Sequence, residues 1–230
     1  MKRIICFITL TVMLLLNSVT AFAAGKSTNT WFNISAGVDK YLYDTEINYD
    51  ADSTKGYIYL GDSRFVGMNS AVDIESEENT FVVAKVGKGY KWLIDYADDE
   101  INSIISEHKD ITDWILISGL GVNDLRNIDK YIEYYDSIES MQVILLSVNP
   151  VDKAKCDRYG YDYAYLSREM VRFNEKLQET DYPYIDTYSL MIDEGFTTRD
   201  GVHYTNETYS MIYDEIQDYI AEMQVLNIEE

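Results

Sequence analysis

From Gly56 onward the chain alternates short apolar runs with longer amphipathic stretches. The runs are Tyr57 to Leu60, Thr80 to Val86, Trp114 to Ile117 and Gln142 to Ser147, with a shorter fifth at Tyr184 and Ile185. They are continuous rather than alternating in polarity, the pattern of parallel strands covered on both faces. Between them, Trp92 to His108 carries Leu93, Ile94, Ala97, Ile101, Ile104 and Ile105 at helical spacing, with Asp98, Asp99 and Glu100 on other faces. Ile128 to Ile138 repeats that pattern, and so does Ser167 to Gln178, through Met170, Val171, Phe173, Asn174 and Leu177. A last helix is predicted from about Glu207 to Met223, with Tyr209, Ile212, Tyr213, Ile216, Tyr219 and Ile220 on one face. Strand and helix in alternation predict a three-layer α/β fold, a parallel sheet of about five strands between helices. The many tyrosines mostly fall on these stripes, where they pack at the rim of the core.

Upstream of Gly56 neither period persists. Residues 24–52 are rich in Ser, Thr, Asn and Asp with scattered aromatics and read as a linker or a locally packed N-terminal arm. Residues 53–230 then form a single domain, since a chain of 230 residues that is 47% hydrophobic has room for one sizeable core. Residues 1–23 have the form of a secretory signal peptide. Lys2 and Arg3 are followed by an apolar stretch from Ile4 to Leu16 and by Ala21-Phe22-Ala23 at the cleavage point. The stretch is short of the ~20 residues a spanning helix needs. A secreted, extracellular protein is expected, with no stable membrane association once the peptide is cleaved.

Charge and cysteine content narrow the partners. The formal net charge of −21 becomes −23 when Lys2 and Arg3 leave with the signal peptide. Such a field repels nucleic acid and anionic membranes, which are bound through basic patches. Cys6 would leave with the peptide, so Cys156 has no intrachain partner, and neither a disulfide framework nor a cysteine metal site can form. Asp152, Asp157 and Asp162 nearby disfavour its thiolate, so Cys156 is read as inert.

In an open parallel sheet, ligands bind outside the carboxyl ends of the strands. Those positions hold Gly61-Asp62-Ser63, Gly87-Lys88-Gly89-Tyr90, Ser118-Gly119-Leu120-Gly121-Val122-Asn123-Asp124 and Val148-Asn149-Pro150; Asp200-Gly201-Val202-His203 precedes the last helix. A serine becomes a nucleophile when a base, an orienting carboxylate and oxyanion donors converge on it. His203 is one of two histidines, and histidine is the side chain best suited to relay a proton at neutral pH. Asp200, three residues earlier across Gly201, can fold beneath the ring and fix its tautomer. The other histidine, His108, ends a helix, where it complements the last carbonyls. Asn123 can donate its amide to an oxyanion, as can the backbone N–H of Ser63, and a third donor is expected from Gly87 or Gly89, with Gly89 preferred. Asp62 is expected to hold the turn.

Three of these blocks, in order, carry a resemblance. Gly61-Asp62-Ser63-Arg64-Phe65-Val66-Gly67 looks like the GDSxxxG block, Gly121-Val122-Asn123-Asp124 like the GxND block, and Asp200-Gly201-Val202-His203 like the terminal DxxH block of the SGNH/GDSL hydrolase superfamily. The resemblance covers roughly Gly56 to the C-terminus. It implies a flavodoxin-like three-layer fold and an esterase, lipase or carbohydrate deacetylase that uses no metal and no cofactor. Ser63 would be the nucleophile, His203 the base and Asp200 its orienter, with Ser63, Gly89 and Asn123 as the oxyanion hole. The glycine block departs from the family's more extended asparagine-and-glycine pattern, since Ala84-Lys85-Val86-Gly87-Lys88-Gly89 stands there. The resemblance and the leader together imply a secreted serine esterase that removes acyl, foremost acetyl, groups from a carbohydrate or cell-wall glycan through an acyl-serine. An acyltransferase of the same fold and a non-catalytic glycan-binding module are the alternatives. Arg64, Asn149 and Tyr90, with Trp92, are the candidate substrate contacts, although helix packing is the first expectation for both aromatics.

Overall fold

The structure, a computed structural model, describes residues 54–228, with side chains to residue 224. The expected signal peptide (1–23) and arm (24–52) lie outside the described residues. Strands β1 (Lys55–Gly61), β2 (Thr80–Ala84), β3 (Asp113–Ser118), β4 (Gln142–Leu146) and β5 (Tyr184–Ile185) form one parallel sheet in the order β2-β1-β3-β4-β5. That is the flavodoxin-like order, with its switch point between β1 and β3. Gly61 is opposite Ala84 on one side, and Leu60 is opposite Ser118 on the other. The carboxyl ends of the three strands therefore finish nearly level, and the loops that follow them share one edge.

Among the described residues, seven helices of seven residues or more cover the sheet: α1 (Ser63–Val72), α2 (Asp98–Glu107), α3 (Ile128–Asp136), α4 (Lys153–Tyr159), α5 (Tyr163–Gln178), α6 (Thr187–Glu194) and α7 (Asn206–Ile228). Because side chains alternate along a strand, the apolar runs divide between two cores. Ile58, Leu60, Leu116, Val143 and Leu145 face α2, α3 and α5, meeting Ile101, Ile128, Met170 and Phe173. Tyr59, Ile115, Ile117, Ile144 and Leu146 face α1, α6 and α7, meeting Met68, Met191, Ile212 and Ile216. Continuous apolar strands are the signature of this two-sided burial.

The helices differ from expectation in three ways, and α5 is one, beginning at Tyr163 behind an Asp162 cap, four residues before the expected Ser167. The segment predicted from Trp92 starts at Tyr90 and passes through a π-helical stretch at Leu93–Ala97 before α2, and His108 caps α2 with its Nδ1 2.9 Å from the Ile104 carbonyl. Helices α4 and α6 have no apolar stripe to announce them. Cys156 is the one buried residue of α4, and α6 buries only Thr187 and Met191. Both start at an aspartate cap, Asp152 accepting from the Lys155 N–H and Asp186 from the Ser189 N–H, and such caps contribute about 1 kcal/mol each.

Candidate active site

Four loops build the site. The first is the turn from β1 into α1. Asp62 caps α1, its Oδ1 accepting the Arg64 N–H at 2.9 Å, as expected of the residue holding the turn. It is fully buried, and desolvation pushes its carboxyl up to about 6 against the opposing pull of Arg64, the capping bond and His203. Ser63 is the first residue of α1, so its N–H belongs to the helix start, where amides have no intrahelical acceptor.

The second loop carries the Asp/His pair. An isolated antiparallel bridge between Thr198 and Tyr204 closes it. Asp200 Oδ1 accepts the backbone N–H of Val202 at 3.0 Å and of His203 at 2.8 Å, and its Oδ2 lies 2.7 Å from His203 Nδ1. Gly201 adopts φ +103, and a Cβ there would fall 2.7 Å from the Cys156 amide nitrogen. Only glycine therefore lets the loop lie against α4, where the Asp152 N–H donates to the Gly201 carbonyl at 2.9 Å. Burial raises the Asp200 carboxyl, but the bonds from the His203 amide, its ring and the Val202 amide together outweigh it and hold the group below its ordinary value. Cys156, buried beneath the loop, has its thiol pushed up by burial and by the carboxylates of Asp152, Asp157 and Asp200.

The first two loops meet at the Ser63 hydroxyl, whose Oγ is 2.9 Å from His203 Nε2. Ser63, His203 and Asp200 thus stand in a hydrogen-bonded line. A hydroxyl, imidazole and carboxylate so placed can pass the hydroxyl proton to the ring as the oxygen attacks an acyl carbon, while the carboxylate steadies the resulting imidazolium. The His203 side chain is 34% exposed, which leaves the line open to a substrate.

The third loop follows β3 and reaches the glycine turn after β2, so these two loops flank β1 and Ser63. Asn123 is exposed and donates from Nδ2 to the Lys88 carbonyl at 2.8 Å. An amide NH2 has two hydrogens, so one donor remains beyond that tie. Asp124 braces the turn. Its Oδ2 accepts the Tyr90 N–H at 2.8 Å and Asn127 Nδ2 at 3.0 Å, and its Oδ1 accepts the Tyr131 hydroxyl at 2.7 Å. The carboxylate lies where a Cβ on Gly89 would be, 2.5 Å from that position, whereas Gly87, at φ +70, faces open space. Gly89 is thus the glycine the site packs against. Asp124 was not foreseen as a functional residue; its sequence signal is an acid directly after Asn123 with no place on an apolar stripe.

The structure places the four expected substrate contacts in different surroundings. Arg64 is 6% exposed and faces into the protein, with Nε on the Val202 carbonyl at 3.1 Å and Nη1 on the Asn149 carbonyl at 3.0 Å. Asn149 is buried, its Oδ1 accepting from Thr187 Oγ1 at 2.6 Å and its loop held by Asn174, which pairs with both the N–H and the carbonyl of Val148. Trp92 is buried in the core. Tyr90 is half-buried, edge-on to Tyr131 with centroids 5.5 Å apart and Lys130 over its ring. Arg64, Asn149 and Trp92 are buried, and Tyr90 packs on Tyr131. Among the described residues, no cluster of three or more His, Cys, Asp or Glu could hold a metal ion, and no helix is long and apolar enough to cross a membrane.

A parallel sheet in this order, with serine, glycine, asparagine and Asp/His loops at one edge, is the fold of the SGNH/GDSL hydrolases, and the chain has that fold. It is similar to a GDSL-like lipase from Bacteroides thetaiotaomicron, with a TM-score of 0.55 at 19% identity over 80% of this chain and 98% of that one. It is also similar to the C-terminal catalytic domain of peptidoglycan O-acetyltransferase A from Streptococcus pneumoniae, with a TM-score of 0.52 at 18% identity over 74% and 95%. No protein-family model matches the chain, and no curated protein sequence matches it.

Proposed function

We propose that the protein is a serine esterase of the SGNH/GDSL superfamily, acting outside the cell to remove acyl groups, foremost acetyl, from a carbohydrate or cell-wall glycan. The observation that carries the reading is the line from Ser63 Oγ to His203 Nε2 and from His203 Nδ1 to Asp200 Oδ2. Ser63 Oγ attacks the ester carbonyl as His203 takes its proton, and the oxyanion that forms is met by the Ser63 and Gly89 N–H groups and the Asn123 amide. His203 then gives the proton to the departing sugar oxygen, leaving an acyl-serine. Water, activated by the same ring, attacks the acyl carbon and releases the acid and free Ser63. Secretion rests on the charged, apolar and small-residue order of residues 1–23. The acetyl and glycan preferences rest on fold analogy joined to that leader.

A sugar hydroxyl in place of the water makes the same machinery an acyltransferase, and the likeness to an O-acetyltransferase domain favours keeping this second reading. Ser63→Ala is expected to abolish hydrolysis of a simple aryl acetate, and a variant that keeps most of the activity ends the mechanism. Assaying acetylated oligosaccharides, muropeptides and short aryl esters, with and without an added sugar acceptor, identifies the substrate class. Acylated acceptor among the products marks transfer, and free acid alone marks hydrolysis. Saturable glycan binding with no turnover of any ester would instead mark a binding module.

A further inference from the structure

We propose that Arg64 is a positioning residue that clamps the base loop in line with the nucleophile. The proposal rests on the Ser63–His203–Asp200 reading above. Arg64 directly follows Ser63 in α1, yet its guanidinium ends among residues distant in the chain. Nε donates to the carbonyl of Val202, 138 residues away, and Nη1 to that of Asn149, 85 residues away. The guanidinium also lies over the Tyr204 ring, 5.1 Å from its centroid. Val202 and Tyr204 are the two neighbours of His203. A side chain rooted beside the nucleophile therefore holds the chain on both sides of the base, and the loop after β4 as well.

The chemistry of the residue fits that task better than it fits stability. Among the described residues, Arg64 forms no salt bridge, although the buried Asp62 carboxylate feels its charge, and Nη2 is buried without a partner. Burying a charge so sparsely compensated is costly, and an apolar side chain of similar volume often serves stability as well or better. What the planar fork adds is a fixed geometry, since Nε and Nη1 bond carbonyls of two loops from separate nitrogens in one plane, whereas the three donors of a lysine sit on one nitrogen at the end of a flexible stem. The Val202 carbonyl belongs to the peptide bond that leads into His203, so its position sets where the ring begins. Apart from the Ser63–His203 bond itself, other ties to this loop come from elsewhere than α1: the Asp152 N–H donates to Gly201 and Lys155 to Thr198 from the start of α4, and Tyr204 donates its hydroxyl to the Pro150 carbonyl and its N–H to the Tyr209 hydroxyl. Without Arg64 the Oγ–Nε2 separation loses its tie to the nucleophile's own helix, and a misplacement of about 1 Å between reacting groups costs on the order of 100-fold in rate.

The test compares Arg64→Met and Arg64→Lys with the parent in two assays. One is kcat and KM on an aryl acetate, and the other is the rate of covalent labelling by a fluorophosphonate, which reports serine activation without the natural substrate. Arg64→Met is expected to lower kcat about 100-fold with KM within about twofold, and to slow labelling by the same factor. Arg64→Lys should fall between it and the parent. Millimolar guanidinium should restore part of the Arg64→Met rate where equal sodium chloride does not. An arginine that served only stability would lower Tm but leave kcat per folded molecule and the labelling rate unchanged; that result overturns the proposal, as does a defect confined to KM. If Arg64→Met fails to fold by circular dichroism, Arg64→Lys decides, a parental labelling rate counting against the clamp and a reduced rate per folded molecule for it. Ser63→Ala separates the two readings. Turnover or labelling that survives in it ends the serine-esterase reading, whereas a dead Ser63→Ala beside a fully active Arg64→Met ends only the role of Arg64.

Discussion

The two sides of the site are built differently. On the Asp/His side every polar atom of the relay is tied: Asp200 accepts three hydrogen bonds within its own loop, and the loop is bonded to α4 and to Arg64. On the glycine side, Val86 and Gly87 stand in solvent, Asn123 is exposed, and order comes from one carboxylate, Asp124, that accepts three donors. A relay works only if the ring keeps one tautomer and one direction, so it needs covalent proximity and a closed loop. Oxyanion donors need only to be aimed, and a braced open turn can do that while leaving room for a bulky substrate.

Substitutions can break this contrast, and the largest effects should fall on the relay. His203→Ala is expected to lower kcat by on the order of 10⁵- to 10⁶-fold, and Asp200→Asn, which keeps the shape but favours the wrong tautomer, by about 10³- to 10⁴-fold. Steady-state kinetics on an aryl acetate check both, and an Asp200→Asn variant within tenfold of the parent would remove Asp200 from the relay. On the donor side Asn123→Ala should cost about 10²- to 10³-fold in kcat with little change in KM.

The two glycines sharpen the donor side further. Gly89→Ala drives a methyl into the Asp124 carboxylate, which three hydrogen bonds hold in place, and should lower kcat about 10- to 100-fold by displacing the turn. Gly87→Ala meets nothing and carries only the strain of a positive φ, about 1 kcal/mol, so its kcat should stay within about threefold. Equal losses in the two variants, measured side by side, would mean that the donor was assigned to the wrong glycine.

A further expected effect is on stability rather than rate, and it separates two carboxylates of opposite sign. Asp62 is raised from 3.8 to about 6, so the folded state binds its proton more tightly than the unfolded chain. Stability from this group therefore falls as pH rises from about 4 to about 6, and at neutral pH the buried charge costs up to about 3 kcal/mol. Asp62→Asn keeps an N-cap acceptor and should raise stability at about pH 7.5, with the gain vanishing below about pH 4. Asp200 is lowered, so its contribution is present above its unfolded value and is lost as pH falls through the lower folded one. Urea unfolding across that range reads both signs, and a pH-independent difference between Asp62→Asn and the parent would sink the assignment to Asp62.

Much of the fold was legible in the chain. Tyr57 to Leu60 and Trp114 to Ile117 are continuous apolar runs, and only a strand buried on both faces needs that composition. Helices α4 and α6 were not legible, because each buries one or two residues and leaves no period to read. Within the site, Ser63, Asp200 and His203 could be found because the last two are three residues apart and bond locally, while the first follows a strand end.

Residue type and spacing determined that a hydroxyl, an imidazole and a carboxylate stand after strand ends, and that the strands form a parallel sheet. Tertiary structure alone decided the direction of Arg64, which a sequence places beside the nucleophile and packing sends to carbonyls 85 and 138 residues away. It likewise buried Asn149, and it set Gly89, not Gly87, against the carboxylate of Asp124. The physical reason is the same in each case. Periodicity and local bonding act over a few residues and leave a pattern in the chain, whereas the satisfaction of a buried polar group depends on whichever distant backbone the fold brings to it.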